Sequence, residues 1–489
     1  MTRTLTLAAA LLCGTALHAQ QTDLTLAIQL EPPHLDPTSA AAGAIDSVLY
    51  ANVFEGLTRF TETGAVVPGL AESWDISEDG LTYTFHLQEG VTFHDGTEMT
   101  ADDVKFTLDR ARGEDSQNAQ KGLFAAIDNV EVIDPRTVEV TLSQPEGTFL
   151  FNMAWGDAVI VSEDSIDDIK QTPIGTGPFQ FSEWVQGDRI ELTQYADYWG
   201  AKPALTEATF RFISDPTAAF AAMMAQDIDA FAGFPAPENL PLFEADPRFQ
   251  VLVGSTEGET ILAMNNAEPP FDNPQVREAV AHAIDRQQII DGAMFGLGTP
   301  IGTHFAPHNP AYVDLIDRSN YDPELSRQLL EDAGMADGFT TTLKLPPPSY
   351  ARRGGEIIAA QLREVGIETE ITNLEWAQWL EEVFRGSDFG LTIVSHTEPL
   401  DIGIYAQPDY YFHYDNPEFQ TLMQDLSTTT EPQQRLDMLA EAQTIIADDH
   451  VNAYLFQLAY PTVADARLDG LWLNQPTQAN DLTGVSWKE

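Results

Sequence analysis

Cysteine is nearly missing: one residue, Cys13, in a chain of 489. It falls inside the opening segment MTRTLTLAAALLCGTALHAQ, so the rest of the sequence offers no disulfide, no thiolate metal site and no cysteine nucleophile. Basic residues are also scarce, 24 against 76 acidic ones, for a formal net charge of -52. A surface this negative repels nucleic acid and anionic lipid. It also makes close carboxylate pairs common by chance, so an Asp/Glu pair says little about acid–base catalysis. After the opening segment there is no apolar run of the ~18 residues that a membrane-spanning helix needs. The GxSxG elbow, the HExxH zinc helix and the P-loop lysine are absent as well, which argues against the commonest hydrolase and nucleotide sites. No short repeat period is visible, so solenoids and propellers are not expected.

Hydrophobic residues make up 43% of the chain, enough for a sizeable core. The length suits roughly three domains at ~150 residues each. The opening segment carries Arg3, an apolar run to Leu17 and a Leu-His-Ala cleavage pattern, which predicts a signal peptide over 1–19 and an exported protein. Leu12 precedes Cys13 where a lipidation site wants a small residue.

The stretch ESWDISEDGLTYTFHLQEGVTFHDG (72–96) has a calcium-loop look, with Asp75, Ser77, Asp79 and Gly80 at EF-hand positions. The bidentate glutamate that should close such a loop is His86, and both flanks alternate like strands. Asp79-Gly80 predicts a hairpin turn with His86 on its polar face. Thr100 with Asp103 predicts a capped helix to about Arg112, and NVEVIDPRTVEVTL (129–142) a second hairpin. The Gly-Thr-Gly-Pro of 175–178 lacks phosphate-loop spacing and reads as a turn. Residues 272–296 read as one helix capped by Asn273-Pro274, with Val276, Val280, Ala283 and Ile284 buried and His282 solvated. His304 and His308 have HxxxH spacing, but Pro307 between them forbids the helix that would aim both at one metal.

Residues 340–402 alternate strand, helix, strand, helix, strand, which predicts a parallel sheet with right-handed crossovers. Within it, Trp376, Trp379, Leu380 and Val383 have the spacing of one helix face. Ligands bind beyond the carboxyl ends of such strands, where the strand order reverses. With local order 2-1-3, two loops face each other there. PPPSYARR supplies Tyr350, Arg352 and Arg353, and SHTEPLD supplies His396, Glu398 and Asp401. An arginine opposite carboxylates suits a zwitterion: the guanidinium grips a carboxylate and the acid grips an ammonium. The same residues would also make an ordinary surface salt bridge.

The segments ANVFEGLTRF, PGLAESWDISEDGLTYTFHLQEGVTFHDGTEMTADDVKFTLDRA, PIGTGPFQFSEW, DYWGAKP and NPQVREAVAHAIDRQQII resemble the family 5 solute-binding proteins of ABC importers, from about residue 22 to the C-terminus. The resemblance implies an α/β, two-lobed periplasmic-binding-protein fold with a hinge. Lobe 1 would be residues 22–46, 173–258 and 462–489, with an inserted domain at 47–172, and lobe 2 residues 259–461. It implies capture of a short peptide or similar zwitterionic solute and delivery to the permease transmembrane subunits and their ATPases. A periplasmic monomer is expected, with no cofactor or metal; the acidic charge argues against a nucleic-acid partner and the missing motifs against an enzyme. By motif, Arg352 falls where dipeptide binders hold the peptide carboxylate, and Glu398 where they place an aspartate for the ammonium. The expected ligand contacts are Arg352, Glu398, His396, Thr397, Asp401, Tyr350, Trp376, Tyr405, Asn265 and Phe234. The chain departs from peptide binders in lacking their tryptophan and Asp-Pro run, and from nickel binders in having Ile402 and Gly403 where a histidine is expected. Opine-like or sugar-conjugated solutes are the alternative cargo, and a secreted hydrolase is the alternative class.

Overall fold

The computed structural model describes residues 21–39, 43–398 and 400–488, so the predicted signal peptide lies outside the described residues. Two strands organise everything else: Phe249–Met264 and Asn452–Asp465, antiparallel and running through both lobes. Residues 249–255 pair with 459–465 and residues 259–263 with 452–457, with a register shift between Ser255 and Glu259. That bulge interrupts the ladder between the two halves and turns the strand.

On one side lies lobe 1. Asp23–Ile28 is its centre, parallel to both Glu207–Phe212 and Ala230–Phe231, with Arg189–Gln194 and Phe179–Val185 continuing antiparallel to the edge. Leu24, Leu26, Phe179, Ile190, Leu192 and Phe210 fill its core. On the other side lies lobe 2. Phe339–Leu345 sits between Ile367–Asn373 and Leu391–His396, all parallel as the sequence predicts, and the strand order is 2-1-3, the condition for the two loops to face each other. The helix Ser349–Glu364 crosses over it, burying Ala351, Ile358 and Leu362.

A separate four-stranded antiparallel sheet joins Ala71–Ile76, Thr82–Leu87, Thr137–Leu142 and Ile127–Asp134, and it contains both predicted hairpins. Gly80 turns the first at φ +70°, and His86 pairs with Asp75 at 3.0 Å on the exposed face. The helix Ala101–Arg112 carries the full capping box of Thr100 and Asp103 and covers the sheet with Val104 and Leu108.

The densest sequence motifs meet at one buried acid. Glu55 accepts hydrogen bonds from Tyr198 (2.8 Å), Trp199 (3.0 Å) and Thr176 (2.9 Å). Burial raises its pKa while those three donors pull the other way. Gly175 and Gly177 press against the backbone of Asn52 and Val53, where any Cβ would fall onto a carbonyl oxygen. His94 clamps the same turn, accepting from the Gly175 N–H at 3.2 Å and donating to the Gly177 carbonyl at 3.0 Å. The glycine run is thus a packing device between chain segments rather than an anion cradle.

Three local expectations change. Residues 272–296 form two helices, Pro274–His282 and Arg286–Met294, because Asp285 caps the second by accepting from the Gln288 N–H. A cap acid satisfies amides that a continuing helix would otherwise use. His282 is 8% exposed rather than solvated, with Nδ1 2.7 Å from the Asn320 carbonyl. The predicted helix face at 376–383 is split, since Trp376–Trp379 is α-helical but Leu380–Arg385 widens to a π-helix. Trp379 and Val383 are buried, while Trp376 and Leu380 are exposed.

Candidate functional site

A cavity of about 450 Å³ opens where the bulge of the crossing strands meets lobe 1 and the turn that carries Trp155 and Asp157. From the helix Gly43–Leu49 come Asp46 and Ser47, from a neighbouring turn Trp155 and Asp157, and from the bulge Thr256, Glu257 and Gly258. Tyr460, Gln475 and Gln478 close the near wall, and Thr397 reaches in from lobe 2. Three carboxylates line this space, and no lysine or arginine does among the described residues.

Packing positions Asp46 and Asp157, and a partner positions Glu257. Gly156 lets the Asp46 carboxylate lie flat on the backbone, where a side chain would collide with it. Burial raises the Asp46 pKa, and Asp157 raises it further. Asp157 is 5% exposed and burial pushes it up to about 7, with Asp36 adding to the shift. Its Oδ1 and the Trp155 Nε1 are both buried without a hydrogen-bond partner. Glu257 belongs to a chain of contacts: its Oε1 lies 2.7 Å from His308 Nε2, and His308 Nδ1 lies 2.6 Å from Ser255 Oγ. Ser255 donates its N–H to Asn474.

Thr397 is the predicted contact that lines the cavity, beside Glu398, whose carboxylate accepts from the Thr397 N–H at 3.2 Å. The two predicted loops are joined, because the Ser395 N–H donates to Tyr350 Oη at 3.3 Å. Arg352 donates to the Leu374 carbonyl (3.1 Å) and to Glu375 (3.0 Å), and its Nε is buried without a partner. His396 sits under the loop with Nε2 3.2 Å from Tyr411 Oη, and burial lowers its pKa to about 4. Asp401 contacts His304 Nε2 at 2.6 Å. Trp376 is exposed and edge-on to Trp379. Three predicted contacts are core side chains: Phe234 packs on Phe231 and Phe243, Asn265 donates to Ser387 and Phe389 carbonyls, and Tyr405 accepts from Asn452.

Sequence reasoning missed Asp46, Asp157 and Glu257. In a chain with 76 acids nothing local distinguishes them. The small residue before Asp157 is the one trace of the close approach.

Two lobes joined by crossing strands around such a cavity define a binding protein of the periplasmic type. The family model for bacterial extracellular solute-binding proteins, family 5 Middle, matches residues 65–416. The glutathione-binding protein GsiB of Salmonella typhi is 30% identical over 478 residues, covering 93% of each chain. Among solved structures, the periplasmic binding protein DppA of Helicobacter pylori, in complex with the peptide STSA, is 25% identical. It has a TM-score of 0.71 and covers 96% of this chain and 98% of its own. The unliganded open form of the murein tripeptide binding protein MppA, 21% identical, has a TM-score of 0.87 with the same coverage of 96% and 98%. The chain belongs to the family 5 extracellular solute-binding proteins, the binding components of ABC importers.

Proposed function

We propose that the chain captures a short peptide, or a similar amino-bearing solute, between its lobes and presents it in the periplasm to the permease and ATPase subunits of an importer. The observation that carries this reading is the cavity whose lining holds Asp46, Asp157 and Glu257 but no basic side chain. Such a lining favours an ammonium and disfavours a bare anion. GsiB and DppA, with glutathione and STSA in their names, support a peptide-like cargo.

The hinge in this reading is the bulge at residues 255–259. At equal coverage the TM-score is higher with open MppA, 0.87, than with peptide-bound DppA, 0.71, which supports an open arrangement of the lobes. On closure, Arg352 takes the ligand carboxylate and Glu398 the ammonium. The Arg352–Glu375 bridge leaves Glu375 74% exposed, so little is lost in exchanging it. Removing one partner of a desolvated charge pair costs ~2–5 kcal/mol. Arg352→Ala and Glu398→Gln are each expected to weaken peptide binding at least ~30-fold in isothermal titration against dipeptides and tripeptides. Unchanged affinity in both variants removes these contacts from the site.

The Ser255–His308–Glu257 chain has the residue types of a hydrolytic relay. Ser255, however, is buried at 7% exposure and held by Asn474. In this reading the protein binds its cargo and does not turn it over. Peptides incubated with it are expected back intact by mass spectrometry, and cleavage products abolished by Ser255→Ala would reverse that assignment.

A further inference from the structure

Lobe 2 brings four residues from distant segments into one buried knot. Glu259 lies just past the hinge bulge, and His396 ends the strand Leu391–His396. Asp401 opens the short helix Asp401–Ala406, and His304 comes from the loop after Thr299–Pro300. Ligating atoms of Glu259, His396 and Asp401 all lie within 4.8 Å of one another. We infer that these three residues form a divalent transition-metal site, of the kind zinc occupies, with His304 and Tyr411 as its outer supports.

The spacing carries the argument first. His396 Nδ1 stands 3.8 Å from Asp401 Oδ2, too far for a hydrogen bond. Metal bonds of ~2.0–2.1 Å in tetrahedral geometry separate neighbouring ligand atoms by ~3.4 Å, close to what is seen. The second observation is an orphan. Glu259 is 2% exposed, and its Oε1 is buried with no hydrogen-bond partner. His304 Nδ1 approaches it at 3.2 Å but is misaligned, and is itself without a hydrogen bond. A carboxylate buried this way is costly unless a cation meets it.

The outer groups have the arrangement that metal sites use. His396 presents Nε2 to Tyr411 Oη at 3.2 Å, which leaves Nδ1 free as a ligand. His304 Nε2 holds Asp401 Oδ1 at 2.6 Å, which leaves Oδ2 on the His396 side, 3.8 Å from Nδ1. The HxxxH partner His308 takes no part, being committed to Glu257 and Ser255. The imidazole among the donors favours a borderline ion over calcium or magnesium, and zinc binds such mixed donors more tightly than manganese. All the ligands belong to lobe 2, so the site does not depend on cargo or on closure.

The test is titration of tag-free, chelator-dialysed mature protein with Co²⁺, followed by its visible ligand-field absorption, then displacement with Zn²⁺ and metal analysis by mass spectrometry. One equivalent is expected, displaced stoichiometrically by zinc. Asp401→Asn and His396→Ala should abolish the spectrum, His304→Gln should weaken uptake ~10–100-fold, and His308→Gln should leave it unchanged. Circular dichroism melts identify variants that fold, and the wild-type stoichiometry stands whether or not Glu259→Gln does. Failure of wild-type protein to take up one equivalent overturns the site, and so does uptake that persists in folded Asp401→Asn and His396→Ala. Dipeptide titrations on the same variants report separately on the cleft.

Discussion

At the scale of single residues, the cleft acids make a directional claim about pH. Asp157 is raised from 3.8 to about 7, chiefly by burial. A carboxyl whose folded pKa lies above its unfolded value contributes stability that is complete below the unfolded pKa and is lost as pH rises through the folded one. Stability from Asp157 should therefore fall between about pH 4 and about pH 7, by at most ~1.4 kcal/mol per unit. Urea unfolding from about pH 5 to about pH 8 should show a steeper decline in the wild type than in Asp157→Asn, and parallel curves would refute the assignment. If an ammonium docks here, it expels that proton, so peptide affinity should rise over the same interval. These acids were not legible in the sequence, because proximity and not identity makes Asp46 and Asp157 a pair. The Arg352 and Glu398 loops were legible, since strand order fixes which loops are neighbours.

At the scale of elements, most of the fold could be read because local chemistry agrees with tertiary packing. The Asp79-Gly80 turn, the Thr100 capping box and the βαβαβ run of lobe 2 all formed as their residues dictate. What could not be read depends on distant partners. The helix break at Asp285, the π-turn at Leu380–Arg385 and the bulge at Ser255–Glu259 are set by what packs against them. The family motifs belong to this scale too, as joints between segments. A pair of small substitutions separates the two kinds of feature. Thr100→Ala removes one cap and should cost ~1 kcal/mol. Gly175→Ala drives a methyl into the Val53 carbonyl beneath the Glu55 joint and should cost ~3 kcal/mol or more. Chemical denaturation that ranks the two equally would show that the joint is not tightly packed.

At the scale of the whole molecule, the charge of -52 surrounds the cleft with a field that acts before any contact forms. The acidic cavity and the acidic surface have the same sign, so the field draws an incoming cation toward the gap and repels an acidic peptide from it. In the proposed mode of capture, a charge pair desolvated between closing lobes would be shielded from salt far better than the approach is. With a Debye length of ~10 Å at 0.1 M and ~3 Å at 1 M salt, screening should act on encounter more than on escape. Stopped-flow fluorescence with a lysine-bearing dipeptide should show an association rate that falls steeply with added salt while dissociation changes little. A dipeptide of two aspartates should show the opposite salt trend in association and weaker binding at low salt. If the acidic dipeptide associates faster at low salt, a local cationic grip outweighs the global field, and Arg352, not the acidic floor, governs cargo choice.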